Sequence, residues 1–442
     1  MKMKSVLAAA ALAVALSAGA ALAQQAALTG TVSSADENAM EGVLVSAKKD
    51  GSNITVTVVS NDKGQYSFPA SKLSSGHYTL KIRAVGYDLD GPKDATVANG
   101  KATTADIKLK KTRNLAGQLS NAEWIMSIPG DDKTKRVLND CTGCHTLQRV
   151  MRSTYSSEDF QEVIFKRMGM YSPGSTPSHP QPLLPGPRGE RPRVNASMAK
   201  AAGDMLARAN LSEMQTWDYA MKTLPRPKGR ATKVIITEYD LPRAEAQPHD
   251  VIIGKDGNVW YSDFGSQYIG MLDPKTGKAT DFQVPTLKAD SPKGLLNVES
   301  DPQGNVWGSM MYQGGIAKVD AKTHKVTAYG IPKEWQSNST QESMVSPQYS
   351  DKDGYVWTNN QEDHSILRLN VKTGKFENLG VMKDKSGKQI SAYGMPADHD
   401  NGLYLLEFGG TSIGHLDAKT KEVEIYKTPS PGSKPRRGRV DE

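Results

Sequence analysis

Cys141 and Cys144 are the two cysteines of this 442-residue chain, three positions apart, with His145 immediately after them. Two thiols on one helical turn can each add to one of the two vinyl groups of a haem. The next residue then presents its imidazole to the iron. Covalent attachment and axial ligation thus come from a single turn. A redox CxxC usually sits in a βαβ context that the flanking sequence lacks, and half a zinc site would need a further pair of ligands. The spacing predicts one covalent haem c per chain.

A sixth ligand must come from elsewhere. A thioether raises the reduction potential and suits an electron carrier. Met168 is the first candidate: it closes an amphipathic stripe of Phe160, Ile164 and Met168 at i, i+4 and i+8 on a helix expected over 157–168. Ser156 or Ser157 can cap that helix and Gly169 can end it. Met170 lies just beyond, and His179 would give bis-histidine ligation. Met198, Met205, Met214 and Met221 fall on later helical stretches, where methionine usually fills core. An open sixth position for catalysis or gas binding is the remaining alternative.

Three segments must position these groups. Residues 27–112 read as about seven short strands between Gly, Asn, Asp and Ser turns, which suggests a β-sandwich. Tyr66, Tyr78 and Tyr87 read as rings of its core. This stretch resembles the carboxypeptidase regulatory-like family at Leu28 to Val32, Gly42 to Val45, Asp62 to Phe68 and Gly76 to Leu80. The resemblance implies a non-catalytic accessory module. Residues 113–226 change to helical patterning around the cysteine motif and resemble a small all-α monohaem cytochrome c domain. Inside it, a Pro-rich passage from Pro173 to Pro192 reads as a surface loop.

From residue 233 to 442 the chain repeats. Gly257-Asn258-Val259-Trp260 recurs as Gly304-Asn305-Val306-Trp307 and Gly354-Tyr355-Val356-Trp357, and more weakly as Asn401-Gly402-Leu403-Tyr404, at steps of 47, 50 and 47. A second phrase keeps the register at Asp273, Asp320, Asn370 and Asp417, each followed by a Lys-Thr pair two residues on. This period fits one four-stranded propeller blade. The phrases resemble the virginiamycin B (streptogramin) lyase-like propeller family. Its propellers look seven-bladed, so four repeats, with the start of a fifth at Pro435 to Asp441, suggest a truncated ring; the alternative is closure by four blades alone. The resemblance implies acid–base work by Pro-His histidines, with a glutamate holding a metal such as Mg2+. Only Pro248-His249 matches the histidine phrase; later blades read Pro292-Lys293, Pro347-Gln348 and Met395-Pro396. Glu407 matches the glutamate. His249 and Glu407 are thus the catalytic candidates, an incomplete set.

Composition bounds the rest. Charged residues make up 23% and the net charge of +7 is scattered, a solvated surface and not a nucleic-acid face. Lys2 and Lys4 before an apolar run ending Ala21-Leu22-Ala23 read as a signal peptide over 1–23, and no later stretch could span a bilayer. Export, most simply to the periplasm of a Gram-negative bacterium, suits covalent haem attachment. The first expectation is a periplasmic c-type cytochrome serving an unidentified redox partner, with sandwich and propeller as docking or substrate-binding modules. The alternative is a propeller-based enzyme, either a C–O lyase or an oxidoreductase passing electrons from a small-molecule substrate to the haem. A binding protein with incidental haem is the third.

Overall fold

A computed structural model describes residues 25–143, 145–185, 195–210, 219–338 and 341–441. The expected signal peptide, Cys144 and Met214 lie outside these residues. The chain divides into two compact units, residues 1–123 with 221–240, and residues 124–220 with 241–442.

The first unit is a β-sandwich. One sheet is built about Ala26–Ser34, which pairs in parallel with Ile107–Lys111 and antiparallel with Gln65–Pro69. In the other, Leu44–Lys49 lies between Ile54–Val59 and Gly76–Arg83. Alternating residues of both sheets, among them Leu28, Val45, Phe68, Leu80 and Ile107, form the core at 2% exposure or less. Tyr66 and Tyr78 are core rings whose hydroxyls donate to the carbonyls of Ala105 and Ser74. Tyr87 is half-buried, its hydroxyl on Glu37. Ile236–Tyr239, expected to open the propeller, instead extends the second sheet: it pairs antiparallel with Ile54–Val59. An edge strand offers unpaired backbone groups to whichever segment reaches it.

In the second unit the repeats form antiparallel sheets. Pro248–Ile253, Val259–Asp263, Tyr268–Leu272 and Ala279–Gln283 make the first blade, and two further four-stranded blades follow. The fourth has three strands, Leu403–Leu406, Ser412–Leu416 and Val423–Lys427. Its inner edge is reduced to isolated bridges from Gly394 and Ala397, on either side of Pro396, which has no N–H to give. Residues 434–441, the expected start of a fifth repeat, form no strand.

Both repeated phrases prove to be turns. Asp273, Asp320, Asn370 and Asp417 each accept the main-chain N–H of the following Lys or Thr, and the three aspartates stay below the usual carboxylate range, Asp273 chiefly through the Thr276 hydroxyl and Asp320 and Asp417 chiefly through those N–H groups. Gly257, Gly304 and Gly354 hold φ of 80°, 86° and 80°. Asn401 takes that left-handed place at 63°, which explains the weaker fourth copy. The aromatic that follows is buried in three blades. The Trp307 indole donates to Asp301 at 2.9 Å, and that of Trp357 donates to the Asn401 carbonyl of the next blade at 3.0 Å.

One inner-strand residue opposes this economy. Glu342 is wholly buried, and no hydrogen bond reaches its carboxyl oxygens among the described residues. Burial pushes its carboxyl up to about 8, against the opposing pull of Lys288 and the amides of Gly315 and Gly314, which fall short of hydrogen-bond geometry. An unfolded glutamate titrates near about 4.3, so between there and about 8 the unfolded chain releases a proton that the folded chain keeps, and stability falls as pH rises. Glu342→Gln removes that slope. Urea unfolding from pH 4.5 to 8.5 should show the variant's advantage over wild type growing with pH; a constant difference would contradict the buried neutral acid.

Candidate functional sites

The helical segment builds its site from short pieces. Val137–Cys141 carries the buried Cys141 into a turn ending at His145. His145 Nδ1 lies 3.1 Å from the Thr146 carbonyl oxygen. A carbonyl only accepts, so Nδ1 is the donor in this contact and Nε2 is the nitrogen left to face a metal. Ser157–Glu162 starts at a capping box in which Ser156 and Asp159 satisfy each other's backbone N–H. The helix then widens into a π-turn over Val163–Arg167 and tightens over Met168–Met170, so regular α-helix stops short of the expected 157–168. Such widened turns often mark functional sites. Ala196–Ala209 packs against it at Gly203, where a β-carbon would stand 2.7 Å from the Ser157 carbonyl oxygen.

These pieces form a partly open cavity of about 160 Å3 walled by Val150, Phe160, Val163, Ile164 and Leu206, and lined by Cys141, His145 and Met168. The predicted stripe of Phe160, Ile164 and Met168 therefore faces the cysteine motif. A second, overlapping cavity of about 470 Å3 shares His145 and Met168 and adds Arg167, Tyr171, Ser172, Ser175, Pro177 and Pro180. Arg149 lines both. Met170 is 51% exposed and His179 sits in a turn at Thr176; neither lines the cavities. Met205 fills core, against Gly130.

The Pro-rich passage is not a free surface loop over its described part. Ser172, Ser175 and Gln181 are buried, and the run from Met170 to Leu183 folds back on itself. Its far side seats on the propeller. The Gln181 amide donates to the Gly265 carbonyl at 2.9 Å and accepts from the Lys293 N–H at 2.6 Å, and Gln247 donates to the Gly174 carbonyl. At Gly174 a β-carbon would meet the Phe264 carbonyl oxygen at 2.3 Å, so only glycine permits the approach. Leu183 packs into the propeller cluster of Leu296, Met344 and Met395.

On the propeller axis lies a second site, a cavity of about 400 Å3 lined by His249, Asp250, Glu299, Arg437 and Arg439 with Val251, Val298, Met344 and Met395. His249 stacks on Phe264 with ring centroids 4.5 Å apart, and its Nδ1 meets Asp250 at 2.8 Å. Burial pushes the Asp250 carboxyl up, but His249, Arg437 and Asn297 outweigh it and hold the group below its usual range. Burial keeps Glu299 above its usual range despite Arg439. Glu407, the other catalytic candidate, does not line this cavity, and its side chain folds back over Gly410. Among the described residues no group of three His, Cys, Asp or Glu side chains is arranged to hold a metal ion. Sequence reading missed Asp250 and Glu299; the adjacency of His249 and Asp250 was the available signal.

Residues 27–110 match the carboxypeptidase regulatory-like domain family. No curated protein sequence matches the chain. Among solved structures it is similar to virginiamycin B lyase from Staphylococcus aureus, with 22% identity, 46% of this chain and 63% of the lyase covered, and a TM-score of 0.38. A streptogramin B lyase structure matches at 21% identity, 48% and 64% coverage and a TM-score of 0.39. A gluconolactonase from Xanthomonas campestris matches at 11%, 44% and 66%, with 0.32. The chain thus spans under two thirds of the lyases' length. The family match concerns the sandwich, and none of these findings concerns a cytochrome domain.

The seam at Gln181 rests on paired groups that burial would otherwise strand. Gln181→Ala leaves the Gly265 carbonyl and the Lys293 N–H without a partner, which should cost about 2–4 kcal/mol. Thermal unfolding of the purified chain checks this, and an unchanged midpoint would show the seam to be loosely held.

Proposed function

We propose that this chain is an exported protein carrying one covalent haem c in the helical segment, with the propeller as the module that meets its substrate or partner. The observation that carries the reading is one apolar cavity lined by Cys141, His145 and Met168. The donor set fits the group: a thiol beside the cavity for a vinyl carbon, an imidazole whose Nε2 is free to ligate, and a thioether. Arg149 and Arg167 also line the cavity and would supply cations to pair with a haem's carboxylates. When bound, haem supplies reversible one-electron transfer between ferric and ferrous iron. The chain's own part is to exclude water with Val150, Phe160, Ile164 and Leu206, to orient the imidazole through Thr146, and to offer a soft sulfur at Met168. Cys144 is the second attachment residue by sequence. The sequence of residues 1–23 and the needs of haem attachment support a periplasmic location; no helix among the described residues is long and apolar enough to cross a membrane.

The second reading is an enzyme on the propeller, and the axial His249–Asp250 pair gives it an observation of its own. It is also the reading that concerns what the comparisons match. It takes a lyase or oxidoreductase form, and in the oxidoreductase form the haem segment, whose hairpin seats on blades one and two, receives the electrons. Lyase chemistry would be lost in His249→Ala when assayed on a cyclic depsipeptide.

Expressed with a cytochrome c maturation system, the protein should be red and keep its Soret band after denaturing electrophoresis. Cys141→Ser with Cys144→Ser should abolish that covalent band. Met168→Ala should retain it but lose the near-infrared thioether-to-iron band. Colourless matured protein would end the haem reading, and a near-infrared band surviving Met168→Ala would move the sixth ligand elsewhere.

A further inference from the structure

The carboxylates of Asp250 and Glu299 keep side-chain exposures of 17% and 13% on the walls of the axial cavity, on the inner strands of the first and second blades. Two desolvated negative charges are costly unless a cation lies against each. In this structure each has one: Arg437 bonds Asp250, and Arg439 approaches Glu299 at 3.3 Å. The two arginines are spaced i, i+2, so an extended run points both toward the same side. His249 is the remaining titratable side chain on the cavity wall, bonded to Asp250, while Asn297 and Gln348 hydrogen-bond the two carboxylates.

The two sides of these ion pairs differ in kind. The carboxylates stand on paired strands of the propeller. The guanidiniums come from residues 434–441, which form no helix or strand, and their side chains are 32% and 68% exposed. The anionic half of the site is built in and the cationic half is delivered. We propose that the axial cavity is a receptor for a ligand bearing guanidinium or primary ammonium groups, and that residues 437 and 439 hold it self-occupied. A free ligand then competes with an intramolecular one, and its apparent affinity falls by the fraction of the time that the arginines vacate the site. The inference rests on neither functional reading above.

Agmatine, with a guanidinium at one end and an ammonium at the other, serves as the probe, titrated calorimetrically into the full chain. Arg437→Ala with Arg439→Ala should bind agmatine at least tenfold more tightly than wild type. Adding Asp250→Asn and Glu299→Gln to that double variant should abolish the gain. The milder Arg437→Gln, which keeps a polar side chain in place, should show an intermediate gain and covers the case in which the double variant fails to fold. Equal affinity of wild type and Arg437→Gln for agmatine would overturn the proposal. So would binding that survives removal of both carboxylates.

Discussion

The side-chain amide of Gln181 fastens the helical segment's hairpin to the first two blades through one bond given and one received, and Gln247 adds a bond to Gly174. Both partners are backbone groups that no strand neighbour satisfies, so the hairpin cannot lift without stranding polar groups. The wall of the larger candidate haem cavity, at Ser172, Ser175, Pro177 and Pro180, is therefore fixed from behind by the propeller. The same seam sets Leu183 among Leu296, Met344 and Met395, of which the two methionines also line the axial cavity. The hairpin that walls the first site therefore packs, through Leu183, against two methionines that line the second.

What was legible in the sequence is what neighbouring residues decide. The stripe of Phe160, Ile164 and Met168, the cap at Ser156 and the turn phrases of the blades all follow from local periodicity and hydrogen bonding, and each lies where its pattern says. What escaped depends on distant chain. Ile236–Tyr239 has the sequence of a strand, but nothing in it says which open edge it will join. Prolines in 173–185 exclude regular structure and thereby suggest a loop, yet they cannot show that Gly174 and Gln181 are shaped for a neighbour. Glu407 fits a phrase and not a cavity, because register along a strand does not fix which way the loop after it turns. Asp250 and Glu299 fall at different points of their repeats, so no period picks them out.

Three carboxylates on inner strands of the propeller show how differently one chain can settle the same cost. Glu342, without a hydrogen bond among the described residues, meets burial by keeping its proton up to about pH 8. Asp250 stays ionised because His249, Asn297 and Arg437 together outweigh its desolvation. Glu299 lies between them, raised by burial and only partly answered by Arg439. The order follows the number and closeness of donors, not depth alone. A carboxylate that takes up a proton has given up its use as an anion. One held ionised by an arginine keeps it, on condition that a cation is always at hand. Asp250, and Glu299 less completely, are thus the inner-strand acids of the three whose surroundings are arranged for charge, and the axial cavity is where that charge has space beside it.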